Sequence, residues 1–115
     1  MKRALLVLTP LLAAAVVFPA CGVRTTHKSV SAARVTGGTG FVGGPIRVKK
    51  GDKVVINVGN LTDRTHGFAI DAFGVKQTVD AGKKIQVKFT PTAAGTYVVY
   101  CQLHPTHKTT ELIVR

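Results

Sequence analysis

The chain has 115 residues, enough for one domain and too few for two. It carries 16 Lys and Arg against 5 Asp and Glu, a formal net charge of +11. No basic stretch is interleaved with aromatic residues and the chain opens on an export-type segment, and both features argue against a nucleic-acid partner.

In chain order, Lys2 and Arg3 precede an apolar run from Ala4 to Phe18, interrupted by Thr9 and Pro10, and Ala20 then precedes Cys21. This pattern predicts a secretory signal of lipoprotein type over residues 1–20, with Cys21 acylated as the new N-terminus. The run is too short and too broken by Pro10 to be read as a membrane span. The expected location is the periplasm or the outer face of the cytoplasmic membrane, held by the lipid anchor. An ordinary signal peptide and an uncleaved anchor are the alternatives. Removing Lys2 and Arg3 leaves a net charge of about +9, suited to an acidic partner protein or an anionic membrane surface.

Residues 21–45 read as a flexible tether. Gly, Ser, Thr and Ala dominate, and Gly37, Gly38, Gly40, Gly43 and Gly44 interrupt regular structure. Val30 to Thr36 is a candidate edge strand, and His27 has no partner there. From Ile46 to residue 115 the texture changes to short β-type runs: Ile46 to Lys49, Lys53 to Gly59, a run marked by Phe68 and Ile70, Val75 to Val79, Ile85 to Phe89, Thr96 to Tyr100, and Glu111 to Val114. Turns at Gly51-Asp52, Ala81-Gly82 and Pro91 to Gly95 separate several of them. Alternation such as Val54, Ile56 and Val58 marks half-buried strands. Short strands at this spacing predict an all-β, Greek-key antiparallel sandwich or barrel.

The chemistry is concentrated near the C-terminal end. One predicted strand delivers Cys101, and the following loop offers His104 and His107. Thiolate and imidazole together suit copper, zinc or iron. Three ligands so close in sequence cannot surround an ion, so a fourth must come from a neighbouring strand, and His66 qualifies. Cys-x-x-His alone is a weak signal, and His104 or His107 taken alone is more often an ordinary, solvated loop histidine. A cysteine pair in an exported chain also suggests a Cys21–Cys101 disulfide, an alternative that acylation of Cys21 removes.

One distant histidine followed by a Cys-x-x-His-x-x-ligand loop resembles the cupredoxin pattern. Lys49-Lys50-Gly51-Asp52, Gly67-Phe68-Ala69-Ile70-Asp71-Ala72-Phe73-Gly74-Val75, Ala81-Gly82, Phe89-Thr90, Ala94-Gly95 and Cys101-Gln102-Leu103-His104-Pro105 look like nitrosocyanin, the red copper protein of ammonia-oxidising bacteria. They are more distantly similar to the copper domains of cytochrome oxidase subunit II and nitrous-oxide reductase. The resemblance implies one copper ion per chain held by His66, Cys101, His104 and His107. It departs from nitrosocyanin in two places: His66 stands where that family has a glutamate, and the loop between His104 and His107 is two residues shorter. With Cys101 as the loop's only cysteine, a binuclear centre is not expected. The hairpin that supports the family's trimer is not recognisable in residues 22–45, so monomer and trimer both stay open.

His107 would donate more strongly than the axial thioether of a blue copper site, lowering the potential and moving the colour towards green or red. Phe68, Leu103 and Pro105 would keep the site partly dry. Asn60 would tie the ligand loops together by hydrogen bonds, against the alternative of a plain turn residue. The expected function is one-electron transfer with an acidic redox partner. Small-molecule chemistry at an open copper position, for example with nitric oxide, and copper carriage are the alternatives. No paired carboxylates, nucleophile triad or phosphate-binding loop supports a hydrolase, and no catalytic residue is assigned.

Overall fold

The computed structural model describes residues 22–115. The expected signal segment 1–20 and the acylation site Cys21 lie outside the described residues. Nine strands follow in order: β1 Thr25–Val35, β2 Gly38–Val42, β3 Ile46–Val48, β4 Lys53–Asn60, β5 His66–Ile70, β6 Val75–Val79, β7 Lys84–Phe89, β8 Gly95–Val99 and β9 Thr110–Val114. A single 3-10 turn, Asp71–Phe73, joins β5 to β6 and closes on Gly74, whose φ of 66° suits a residue without a Cβ.

One sheet has the order β2-β1-β4-β7. The other begins β3-β9-β8 and continues through a bridge between Tyr100 and Ala69 to the β5–β6 pair. Apolar residues of both sheets form one core. Val30, Ile56 and Val87 face it from the first sheet, and Phe68, Ile70 and Leu112 from the second. The all-β sandwich is the fold the turn spacing predicts. Two of its pairings, β1 with β4 and β3 with β9, are parallel rather than antiparallel. The chain crosses from β2 in the first sheet to β3 in the second and back to β4, and β4 then re-enters running the same way as β1.

Two expectations are corrected. Most of the segment read as a tether is folded: β1 is an 11-residue strand between β2 and β4, not an edge strand, and Val30 and Ala32 are buried. The β-domain therefore begins at Thr25 rather than Ile46. A hairpin also exists where none was recognisable, with β2 folding back on β1 in the register Val35 to Gly38 and Ser31 to Val42. The reason is the partner: β1 lies alongside the apolar β4, so two small inward side chains, Val30 beside Val58 and Ala32 beside Asn60, suffice to seat it.

Candidate metal centre

His66 opens β5, and Cys101 follows the last rung of β8. The Tyr100–Ala69 bridge, with backbone bonds of 2.9 and 3.1 Å, locks the two strands together. This brings residues 35 positions apart into one cluster. The ligand atoms of His66, Cys101 and His104 all lie within 4.8 Å of one another. The Cys101 sulfur is 3.9 Å from Nδ1 of His66 and 3.6 Å from Nδ1 of His104. Two successive backbone turns shape the loop, His104 N–H to the Cys101 carbonyl at 3.4 Å and His107 N–H to the His104 carbonyl at 3.0 Å.

Cys101 is buried and forms no disulfide among the described residues. Its sulfur accepts the Gly67 backbone N–H at 3.1 Å, which fixes the sulfur against the start of β5. A Cβ at Gly67 would overlap the side-chain amide of Gln102, so a larger residue there requires that amide to move. That amide donates to the Gln77 carbonyl at 2.8 Å, tying the ligand loop to β6.

His107 lies beside the triad rather than in it. Its ring packs 5.0 Å from that of His66 and 4.5 Å from that of Phe41. Its Nδ1 is 3.0 Å from the Lys108 carbonyl. A carbonyl only accepts, so the proton sits on Nδ1 and the lone pair on Nε2. That Nε2 is buried and has no hydrogen-bond partner among the described residues. A histidine whose Nδ1–H is held by a carbonyl while Nε2 points free is arranged as metal-binding histidines are. The downstream end of the loop is pinned to the hairpin: Lys108 N–H donates to the Thr39 carbonyl and Lys108 Nζ to the Thr36 carbonyl.

Burial holds the His66 pKa below the usual imidazole value, helped by the neighbouring charges of His107, His104 and Arg64 and opposed by Asp63. Burial likewise lowers His107, against the opposing hydrogen bond to Lys108 and with a smaller contribution from His104. Both rings are thereby held neutral, the form that donates to a metal. One thiolate, two close imidazoles and an orphaned third imidazole nitrogen fit copper, and on this donor set the residues that would hold it are His66, Cys101 and His104, with His107 alongside.

Asn60 is 1% exposed and fully engaged. Its Nδ2 donates to the Arg64 carbonyl at 2.7 Å and to the Val79 carbonyl at 2.8 Å, and its Oδ1 accepts from Thr62 N–H and Oγ1. Val79 is the residue paired with His66, so Asn60 braces that histidine from both sides. Phe68 is fully buried and meets Phe41 edge-on at 5.8 Å. Leu103 and Pro105 are exposed at the loop surface. Phe41, Gly67 and Gln102 escaped the sequence reading as site residues. Phe41 falls in the segment read as tether, and the only signals for the other two were their places in the strings Gly67–Val75 and Cys101–Pro105. A cleft of about 580 Å³ opens beside the centre between Arg34, Thr39, Arg64, His66, His104 and His107.

Residues 11–114 match the family described as the cupredoxin-like domain. Among solved structures, the chain is similar to the metal-binding domain of the Cu(I)-exporting P-type ATPase of Streptococcus pneumoniae D39, determined with Cu(I). That match has a TM-score of 0.68 at 15% identity and covers 79% of this chain and 86% of that one.

Proposed function

The chain belongs to the cupredoxin-like domain family, and from that premise we propose that it is an extracytoplasmic copper protein that carries single electrons. The observation that supports this best is the buried Cys101 sulfur set against two imidazole nitrogens and one backbone N–H. Copper bound there would supply a one-electron couple. The protein's own residues do the rest. Gly67 N–H and the two histidines orient the sulfur, and Asn60 and Gln102 fix the strands and loop that carry them. A frame that does not rearrange when charge changes suits electron transfer. Leu103, 44% exposed next to His104, offers an apolar contact near the centre, and Arg34 and Arg64 give that end a positive rim for an acidic redox partner.

Under this reading the signal-type segment exports the chain and Cys21 holds it to the membrane by lipid. The likeness to nitrosocyanin extends the reading to a red or green rather than blue centre. A second reading, small-molecule binding at copper, is favoured by the cleft that reaches His104 and His107.

Copper titration of the purified protein tests the proposal. One equivalent should produce intense visible thiolate-to-copper absorption, reversible by reductant, and Cys101→Ser should lose it. Visible absorption that survives Cys101→Ser would defeat the proposed centre.

A further inference from the structure

The far end of the sandwich from the metal centre is strongly basic. β1 and β4 run in parallel from Thr25 beside Lys53 to Ala32 beside Asn60. At about 3.3 Å per residue, the start of β4 lies about 23 Å from the Asn60 end that leads to His66. At that start, Lys53 N–H donates to the Arg24 carbonyl, Lys50 N–H to the Arg115 carbonyl and Arg115 N–H to the Val48 carbonyl. These bonds gather Arg24, Arg47, Lys49, Lys50, Lys53 and Arg115 at one pole, all exposed. Four of them, Arg24, Arg47, Lys49 and Arg115, line a single cleft of about 470 Å³. The one acid lining that cleft, Asp52, is 7% exposed and already accepts from Thr26 Oγ1 at 2.9 Å and Lys49 N–H at 3.2 Å.

From this geometry we infer that the basic pole is a docking surface for anionic phospholipid, with headgroup phosphates entering the cleft between Arg24, Arg47, Lys49 and Arg115. Two observations favour lipid over an acidic protein. The exposed cations cluster at one end of the sandwich, where a flat sheet of negative charge can meet several of them at once. The chain also enters the sandwich at this same pole: Arg24 is three residues from Cys21, and the apolar run Ala4 to Phe18 lies just upstream. Three extended residues span about 10 Å, so an attachment at Cys21 would hold the pole within roughly one Debye length of the surface. Docked this way, the metal centre faces away from the bilayer, towards soluble partners. The inference deepens the membrane placement proposed above.

The test is lysine footprinting of the full chain on vesicles, read by mass spectrometry after brief exposure to an amine-reactive ester. On vesicles containing phosphatidylglycerol, Lys49, Lys50 and Lys53 should label about tenfold more slowly than on pure phosphatidylcholine vesicles, and high salt should abolish the difference. Lys83 and Lys84, at the Asn60 end, should label equally on both. Equal rates at Lys49, Lys50 and Lys53 on the two vesicle types would overturn the inference. So would protection of those lysines by soluble polyglutamate but not by vesicles, which would assign the pole to an acidic protein. Recovery on phosphatidylcholine vesicles reports the anchor separately. Protein that ignores those vesicles yet is footprinted on phosphatidylglycerol would defeat the lipid anchor and leave the basic pole standing.

Discussion

The Gly67 backbone N–H donates to the Cys101 sulfur across the two strands that build the centre, and the Gln102 amide fills the space that a Gly67 side chain would take. Gly67→Ala should drive the Gln102 amide off the Gln77 carbonyl and loosen the tie between the ligand loop and β6. The expected cost is about 1–3 kcal/mol of stability from overpacking and about a 10- to 100-fold loss of copper affinity. Gly67→Ala with Gln102→Ala should recover much of both, because the colliding amide is gone. Urea unfolding and copper competition titrations read the two effects. A double variant no better than Gly67→Ala alone would show that the collision is not the cause.

Asn60 offers a second lever on the same histidine. Its side chain satisfies the Arg64 and Val79 carbonyls and the Thr62 N–H, with almost no access to water. Asn60→Ala strands these groups, and should cost about 1–3 kcal/mol or more. Asn57→Ala, which removes one exposed bond to Gln86, should stay within about 0.5 kcal/mol. Copper affinity should fall in the first variant and hold in the second. Equal midpoints for the two variants in urea would remove Asn60 from the supporting frame.

These two residues also mark where the sequence was readable. The alternation of Val54, Ile56 and Val58 announces β4, and the spacing of Cys101 and His104 announces the ligand loop, because both signals are local. Asn60 could be read only as one of two equal possibilities, since its partner Val79 lies 19 residues away. β1 was misread for a related reason. Thr25 to Val35 is mostly polar and small, and it becomes a strand by lying against β4, a pairing no local pattern encodes. Phe41 was lost with it, although it packs against both His107 and Phe68.

The buried imidazoles give the metal-free protein a defined response to acid. His66 and His107 have folded-state pKa values below the ordinary 6.5. Above 6.5 both are neutral whether folded or not, and their contribution to stability is complete. Below 6.5 the unfolded chain takes up protons first, so stability is lost as pH falls from 6.5 through the lowered folded values. The slope is at most about 1.4 kcal/mol per pH unit for each histidine. Urea midpoints of the metal-free protein, followed downward from neutral pH, should show this fall. A His66→Gln, His107→Gln double variant should flatten it, and an unchanged slope in that variant would place the acid sensitivity elsewhere.

On the proposed copper reading, His107 would set the kind of site. Its Nδ1–H is held by the Lys108 carbonyl, its Nε2 lone pair is buried and unpartnered, and its ring lies against His66. If His107 also held the copper, its imidazole would donate more strongly than a thioether and favour Cu(II) over Cu(I). His107→Met should remove that preference, raising the reduction potential and moving the absorption towards the blue type with the fold intact. Each rise of about 60 mV corresponds to a tenfold change in relative Cu(I) and Cu(II) stability for a one-electron couple. If His107 instead only packs between Phe41 and His66, the substitution should barely move either property, and azide should bind readily to the unsubstituted protein through the cleft beside His104. The potential, the spectrum and azide affinity of both proteins separate the cases. An unchanged potential together with tight azide binding would rule out the closed electron-transfer centre and favour small-molecule chemistry at the metal.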